Sequence, residues 1–366
     1  MRFNRRVRRA ATLLLLTSVA IAGCSSDNES GDVGDNTTAA TTEGPDTSGD
    51  PSESTVPDPD LSGVTLKVAY STEDAQTIIR DEAGAFEGTE YSIEWVELSG
   101  SNATLEALNA GAIDMALGLQ APSMVLAQAN SEVPWTATDS VFKVVAAWEH
   151  VESFGFSVIV RADSGIESVA DLAGKKVAFA KGTLGQYLWL KLQEEAGLSE
   201  DDVEEVVLPA SEGRAAYRAG QVDALITGHR NAVPLLASDN SVILQSSDRF
   251  VPYLDFTVSR AELLDDPAYV AAIADFVSRV SVEELWLHDN TQVAAEMFAD
   301  VFDIPLEDAV LAAELAIRTR RPIDDRTIAV LEEMAAVFYA AGVADTEVDV
   351  RIAIDLRFDD GVDATT

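Results

Sequence analysis

SVADLAGKKVAFAKGTLGQYLWLKLQEEAG, residues 168–197, decides how the rest of the chain is read. Lys176 to Ala180 is a short apolar strand. Gly182-Thr183-Leu184-Gly185 is a loop, and Gln186 to Ala196 is a helix stopped at Gly197. Strand, glycine loop and helix in succession predict a parallel sheet with helices on its faces. The loop also carries chemistry. Backbone N–H groups at a helix N-terminus attract anions, glycine allows close approach, and Thr183 adds a hydroxyl donor. On spacing alone, a plain strand–helix turn capped by Thr183 is the simpler explanation.

The same alternation continues outward. Downstream come a strand at Val206 to Leu208, a helix from Glu212 to Ala219 ended by Gly220, and a strand from Asp223 to Ile226. Upstream, Val64, Leu66, Val68 and Tyr70 alternate as a strand, and Tyr91 to Leu98 reads as a second. A short helix covers Asn102 to Ala110. Ile113 to Leu117 forms a buried strand leading into Gly118-Leu119-Gln120-Ala121-Pro122, and Phe142 to Trp148 forms another. The last third is mostly helical; Leu331, Met334, Ala335 and Phe338 share one helix face ending at Gly342. Two α/β units and a helical tail predict two lobes with a cleft between them.

The N-terminus has a different purpose. Arg2, Arg5, Arg6, Arg8 and Arg9 precede an apolar run from Ala10 to Ala22, too short to span a bilayer. Ala22-Gly23 then leads into Cys24, the chain's only cysteine. This is the layout of a lipoprotein signal over residues 1–23, with Cys24 as the lipidation site. The other reading is an ordinary secretory signal followed by a chance thiol. Arg5-Arg6 hints at twin-arginine export, against which Arg8 and Arg9 stand. Residues 24–62 have no Lys or Arg and almost no large apolar side chain, and form an acidic linker predicted to stay unfolded.

Without the five signal arginines, 20 basic residues face 63 acidic ones, a net charge of −43. Such a field repels nucleic acid and anionic membrane surfaces. An anion site in this chain therefore needs local donors. With Cys24 lipidated, no thiol remains for disulfides, metal binding or catalysis. No metal-ligand cluster, serine nucleophile elbow or HExxH motif is present, so no cofactor, metal or catalytic residue is expected.

Ser168 to Thr183 resembles the "DLKGKKVAF-KGS" segment of substrate-binding proteins of ABC importers, in particular the aliphatic-sulfonate branch related to taurine and nitrate binders. Ala215-Ala216-Tyr217-Arg218-Ala219-Gly220-Gln221-Val222-Asp223-Ala224 resembles that family's "AAF-x-x-G-x-VDA". Ile93 to Leu98, Leu105 to Asp114, and Arg321-Pro322 with the following helix resemble further segments. The likeness covers about Val64 to Ile354. It implies a type II periplasmic-binding-protein fold, with two α/β lobes joined by two crossover strands near Gly155–Arg161 and Tyr253–Arg260. Lobe 1 would comprise 63–156 and 254–366, and lobe 2 would comprise 157–253. It also implies a monomeric, extracytoplasmic protein that binds a small organic anion, first a sulfonate, and delivers it to a permease and its ATPase. The alternatives are a thiamine-pyrimidine-precursor binder or enzyme on the same fold, and a ligand sensor.

The candidate ligand-binding residues are Ser71, Thr72, Gly118, Gln120, Trp148, Gly182, Thr183, Gln186, His229 and Arg230. The first four follow strands, where open α/β sheets bind ligands, or else are turn chemistry. Gln120 stands where the sulfonate pattern has an acid, and an amide donates as well as accepts. Thr227-Gly228-His229-Arg230 replaces the Trp, Asp and Pro of many relatives. Arg230 either clamps an anion or makes a surface ion pair, and His229 either donates beside it or caps a helix. Trp148 and Phe154 form either an apolar cleft wall or ordinary core. His150 has no ligand-like partner at useful spacing.

Overall fold

A computed structural model describes residues 58–70, 75–98, 100–151, 153–359 and 362. Cys24, Ser71 and Thr72 lie outside the described residues. The chain runs β1 Thr65–Tyr70, α1 Ala75–Ala83, β2 Ser92–Glu97, α2 Ser101–Asn109, β3 Met115–Gln120, α3 Ala121–Ala129 and β4 Phe142–His150. It continues through β5 Phe156–Arg161, β6 Lys176–Phe179, α4 Leu184–Ala196, β7 Glu204–Val207, α5 Ala210–Arg218, β8 Ala224–Gly228, α6 His229–Ser238 and β9 Ser241–Ser246. It then returns as β10 Leu254–Arg260, α7 Pro267–Asp289, α8 Thr291–Phe302, α9 Leu306–Ala316, β11 Arg318–Arg321 and α10 Asp325–Ala340.

Two sheets form among the described residues, in the orders β11-β4-β10-β3-β1-β2 and β7-β6-β8-β5-β9. They share a plan. β10 lies antiparallel between β3 and β4, and β5 lies antiparallel between β8 and β9. β11 also pairs antiparallel with β4 at the sheet edge, and the remaining neighbours β1–β2, β1–β3, β6–β7 and β6–β8 are parallel. The chain passes between the sheets twice, from β4 into β5 and from β9 into β10. This is the expected pair of α/β lobes with the type II order.

Local chemistry sets the element ends. Gly197 closes α4 in the left-handed conformation, at φ 66°. Asp266 caps α7 by accepting the Ala268 N–H at 2.8 Å, with Pro267 in its first turn, and Asp324 caps α10 through the Thr327 N–H at 3.0 Å. β3 runs three residues beyond the expected Leu117. Gly118, at φ 69°, lies in a bulge between the Val258–Ala116 and Phe256–Leu119 pairs, and the ladder resumes at Leu119. α4 begins at Leu184, two residues early, because Thr183 is already the extended residue before the helix.

The apolar core passes from one lobe into the other. α3 and α10 of the first lobe and α4 of the second contribute Met124, Val125, Leu331, Met334, Phe338, Leu184, Tyr187 and Leu188 to one buried cluster. The Tyr187 and Phe338 rings meet edge to face at 6.5 Å. Each such buried side chain contributes about 1.5–3 kcal/mol. Tyr187 also donates its hydroxyl to Glu333 on α10 at 2.7 Å. No helix among the described residues is long and apolar enough to cross a membrane.

Trp148 belongs to the core rather than to a cleft wall. It is fully buried, packs in the cluster formed with α7, and donates its indole N–H to Thr257 at 2.9 Å. β4 alternates its faces, and the α7-facing side takes this position. Phe154 is half-buried and joins the second lobe's core beside Leu236 and Ile243.

Candidate functional site

Of the candidate residues, Gln120 at the end of β3 meets the Gly182–Leu184 loop of the other sheet, and His229 packs against the crossover residues His150 and Tyr253. β3 ends at Gln120, β6 leads into Gly182-Thr183, and β8 ends at Gly228, directly before His229. Gly182 adopts φ 72°, which an L side chain rarely tolerates. Its N–H donates to Gln186 Oε1 at 2.8 Å, so Gln186 supports the loop from the first turn of α4. Thr183 does not cap α4; its hydroxyl turns back to the Ala180 carbonyl at 2.8 Å. The Leu184 N–H, in the first turn of α4, instead meets Gln120 Oε1 of the other lobe at 3.3 Å. Gly185 is needed for space, since a β-carbon there would sit 3.0 Å from the Phe156 ring.

His229 and Arg230 open α6. His229 is only 2% exposed. Its Nδ1 is 3.0 Å from Ser153 Oγ, and its ring lies 5.6 Å from His150 and 5.8 Å from Tyr253. Burial pushes its pKa well below the ordinary value, helped by the charges of His150 and Arg230 and opposed by Asp255. His229 is thus a neutral imidazole wedged between the crossovers. Arg230 is half-buried beside it, and its charge also acts on Asp255.

Sequence reasoning missed a buried charge chain under this region. His150 Nε2 donates to Asp255 Oδ2 at 2.7 Å, and the His150 ring stacks on Tyr253 at 4.3 Å. Arg318 reaches Asp255 at 3.3 Å and Glu284 at 2.6 Å. Gln76, near the start of α1, donates to the other Glu284 oxygen at 3.2 Å. Burial works to raise Asp255, but His150, Arg318 and Arg230 outweigh it and hold its carboxyl below the usual value. For Glu284 burial wins over Arg318 and Gln76, and its pKa rises. The available signal was an acid pair on the apolar face of α7, in register with Phe276, Val280 and Leu287.

Glu283 beside it is fully buried, with Arg80 Nε at 3.4 Å. Arg80 lies 3.6 Å from the Trp95 ring centroid. Burial pushes the Glu283 carboxyl up to about 8, with Glu284 adding to the rise and Arg80 opposing it. The folded chain therefore holds a proton that the unfolded chain releases near pH 4.5. The contribution of Glu283 to stability is therefore greatest below that pH, falls as pH rises towards about 8, and levels off above. Glu283→Gln is expected to flatten this slope and to gain at least ~1 kcal/mol at pH 8.5 in urea titrations. An unchanged slope would show that Glu283 stays ionised.

Two lobes of type II order facing each other have the architecture of two-lobed solute-binding proteins. Residues 71–270 match the NMT1/THI5-like family model, and the chain belongs to that family, within the sulfonate/nitrate-binding superfamily of substrate-binding proteins. It is 25% identical over 266 residues to an aliphatic sulfonates-binding protein of Escherichia coli strain K12, covering 72% of this chain and 79% of that one. A Bacillus subtilis strain 168 protein of the same description is 24% identical over 282 residues, covering 75% and 79%. The alkanesulfonate-binding protein of Xanthomonas axonopodis pv. citri, solved with MOPS, superposes with a TM-score of 0.68 at 23% identity, over 80% of this chain and 98% of that one. At that identity the likeness carries the fold.

Proposed function

We propose that this chain is the extracytoplasmic solute-binding component of an ABC importer. It captures a small organic anion between its lobes, with an aliphatic sulfonate as the first choice, and is tethered to the membrane through lipidated Cys24. The observation that carries this reading is the meeting of the α4 N-terminus with Gln120 across the lobe boundary. Helix-terminal N–H groups and a cation suit a tetrahedral oxyanion. Gly118, Gln120, Gly182, Thr183, Gln186, His229, Arg230 and the Ser71–Thr72 segment form the proposed site. His229, neutral and buried, would shape it rather than add charge. Binding would favour the closed pair of lobes that a permease recognises, and no bond is broken.

The test is a thermal-shift panel of alkanesulfonates, taurine, nitrate, bicarbonate and pyrimidines, after mass spectrometry of co-purifying small molecules. A ligand at 100 times its Kd adds about 2.7 kcal/mol, a rise of roughly 4 °C for a chain of this size. At least one organic anion is expected to give it, and Arg230→Ala to abolish it. Stabilisation only by a neutral pyrimidine would replace the anion reading with that of a pyrimidine-precursor binder.

A further inference from the structure

Gln120, Ser123 and Leu126 recur every three residues along α3 and its leading residue, and all three reach the 182–184 loop of the other lobe. Gln120 Oε1 accepts the Leu184 N–H at 3.3 Å, across a separation of 64 residues. The buried Ser123 hydroxyl donates to the Gly182 carbonyl at 2.9 Å. Leu126 Cδ1 lies 3.4 Å from where a Gly182 β-carbon would stand. The loop's other polar groups are spent within their own lobe, since Gly182 N–H binds Gln186 and the Thr183 hydroxyl binds Ala180. Gln120 also precedes α3 without capping it through its side chain. Its side chain serves the second lobe instead.

We propose that Gln120 has two roles at once: its amide oxygen clasps the second lobe, and its amide NH2 selects a ligand rich in hydrogen-bond acceptors. The Leu184 N–H fixes which end of the amide faces α4, because a donor must meet the oxygen. The NH2 end is then directed away from α4, with both hydrogens available among the described residues. A carboxylate in this place would keep the clasp and offer the ligand only acceptors and a negative charge. The clasp stands on the contacts above, and the selecting role rests on the interlobe anion reading.

Three variants separate the roles, read by amide hydrogen exchange over residues 180–186 and by calorimetry with ethanesulfonate. Gln120→Ala is expected to speed Leu184 exchange at least tenfold, and Ser123→Ala to speed exchange of the same loop by a smaller factor. Gln120→Glu is expected to keep the protection yet weaken ethanesulfonate at least tenfold, since the donors are lost and a charge is added. Unchanged Leu184 exchange in Gln120→Ala overturns the clasp. Wild-type affinity in Gln120→Glu overturns the selecting role while leaving the anion reading intact. A wild-type protein that ignores ethanesulfonate and every other anion of the panel overturns the anion reading and the selecting role together, and the exchange result still decides the clasp.

Discussion

Arg318→Ala is expected to lower stability by about 3–5 kcal/mol, the cost of stripping a buried ion cluster of one partner. Arg318 is 4% exposed and lies between two acids, Glu284 at 2.6 Å and Asp255 at 3.3 Å. Its guanidinium also sits 5.5 Å from the Trp148 ring centroid. Without it, His150 still serves Asp255, but Glu284 retains only the Gln76 amide. Glu284 would then take up a proton more readily, since burial already raises its pKa. The loss should therefore shrink as pH falls from 8 to 5, and Glu284→Gln in the Arg318→Ala background should recover part of it. Urea titrations at both pH values measure this. A loss below ~1 kcal/mol, or one independent of pH, would show that the arginine does not neutralise this cluster.

The two-lobed fold was legible because each element carries a local signature. Residues 168–197 contain strand, glycine loop, helix and left-handed glycine stop in order, and β1, β6 and α10 follow their apolar periods. The errors lie where local pattern and tertiary demand differ. Gly118 looked like the end of a strand, yet it is a bulge through which β3 continues to Gln120. Thr183 looked like a cap, yet its hydroxyl bonds backwards to Ala180. Trp148 looked eligible for a cleft, yet strand alternation turns it towards α7.

The candidate site was legible only in outline. Gln120 meets the loop that holds Gly182 and Gln186, and His229 directly follows β8, because strand–loop–helix order places them there. Their partners could not be read from spacing. His150 finds Asp255 105 residues away, and Gln76 finds Glu284 208 residues away. Only the finished sheet order, with β10 inserted between β3 and β4, brings them together. His150 looked partnerless for this reason, although a histidine closing an apolar strand is itself a sign of a buried acceptor.

Gly155→Ala is expected to be a severely damaging single-methyl change, lowering Tm by roughly 5 °C for about 3 kcal/mol lost. Gly155 sits between β4 and β5 at φ 62°, a conformation that costs an L residue about 1–2 kcal/mol. An added β-carbon would lie 2.3 Å from Ser247 Oγ and 3.6 Å from Tyr253 Cβ. Ser247 leads the return crossover, is fully buried, and accepts the Phe156 N–H at 3.0 Å. It cannot withdraw without orphaning that donor. The Gly155 carbonyl also accepts the His229 N–H at 3.1 Å, so a shift here disturbs α6 and the proposed site. Ser247→Gly in the Gly155→Ala background separates the two costs. It should relieve the clash and leave the φ penalty, so the double variant should be more stable than the sum of the two single losses implies. Strict additivity would mean that the crossovers do not touch at this point. Because the chain passes between the lobes along these two segments, a displaced Gly155–Ser247 contact should also change ligand affinity by more than its distance from the ligand would imply, and calorimetry on the folded fraction of Gly155→Ala reads that effect separately from stability.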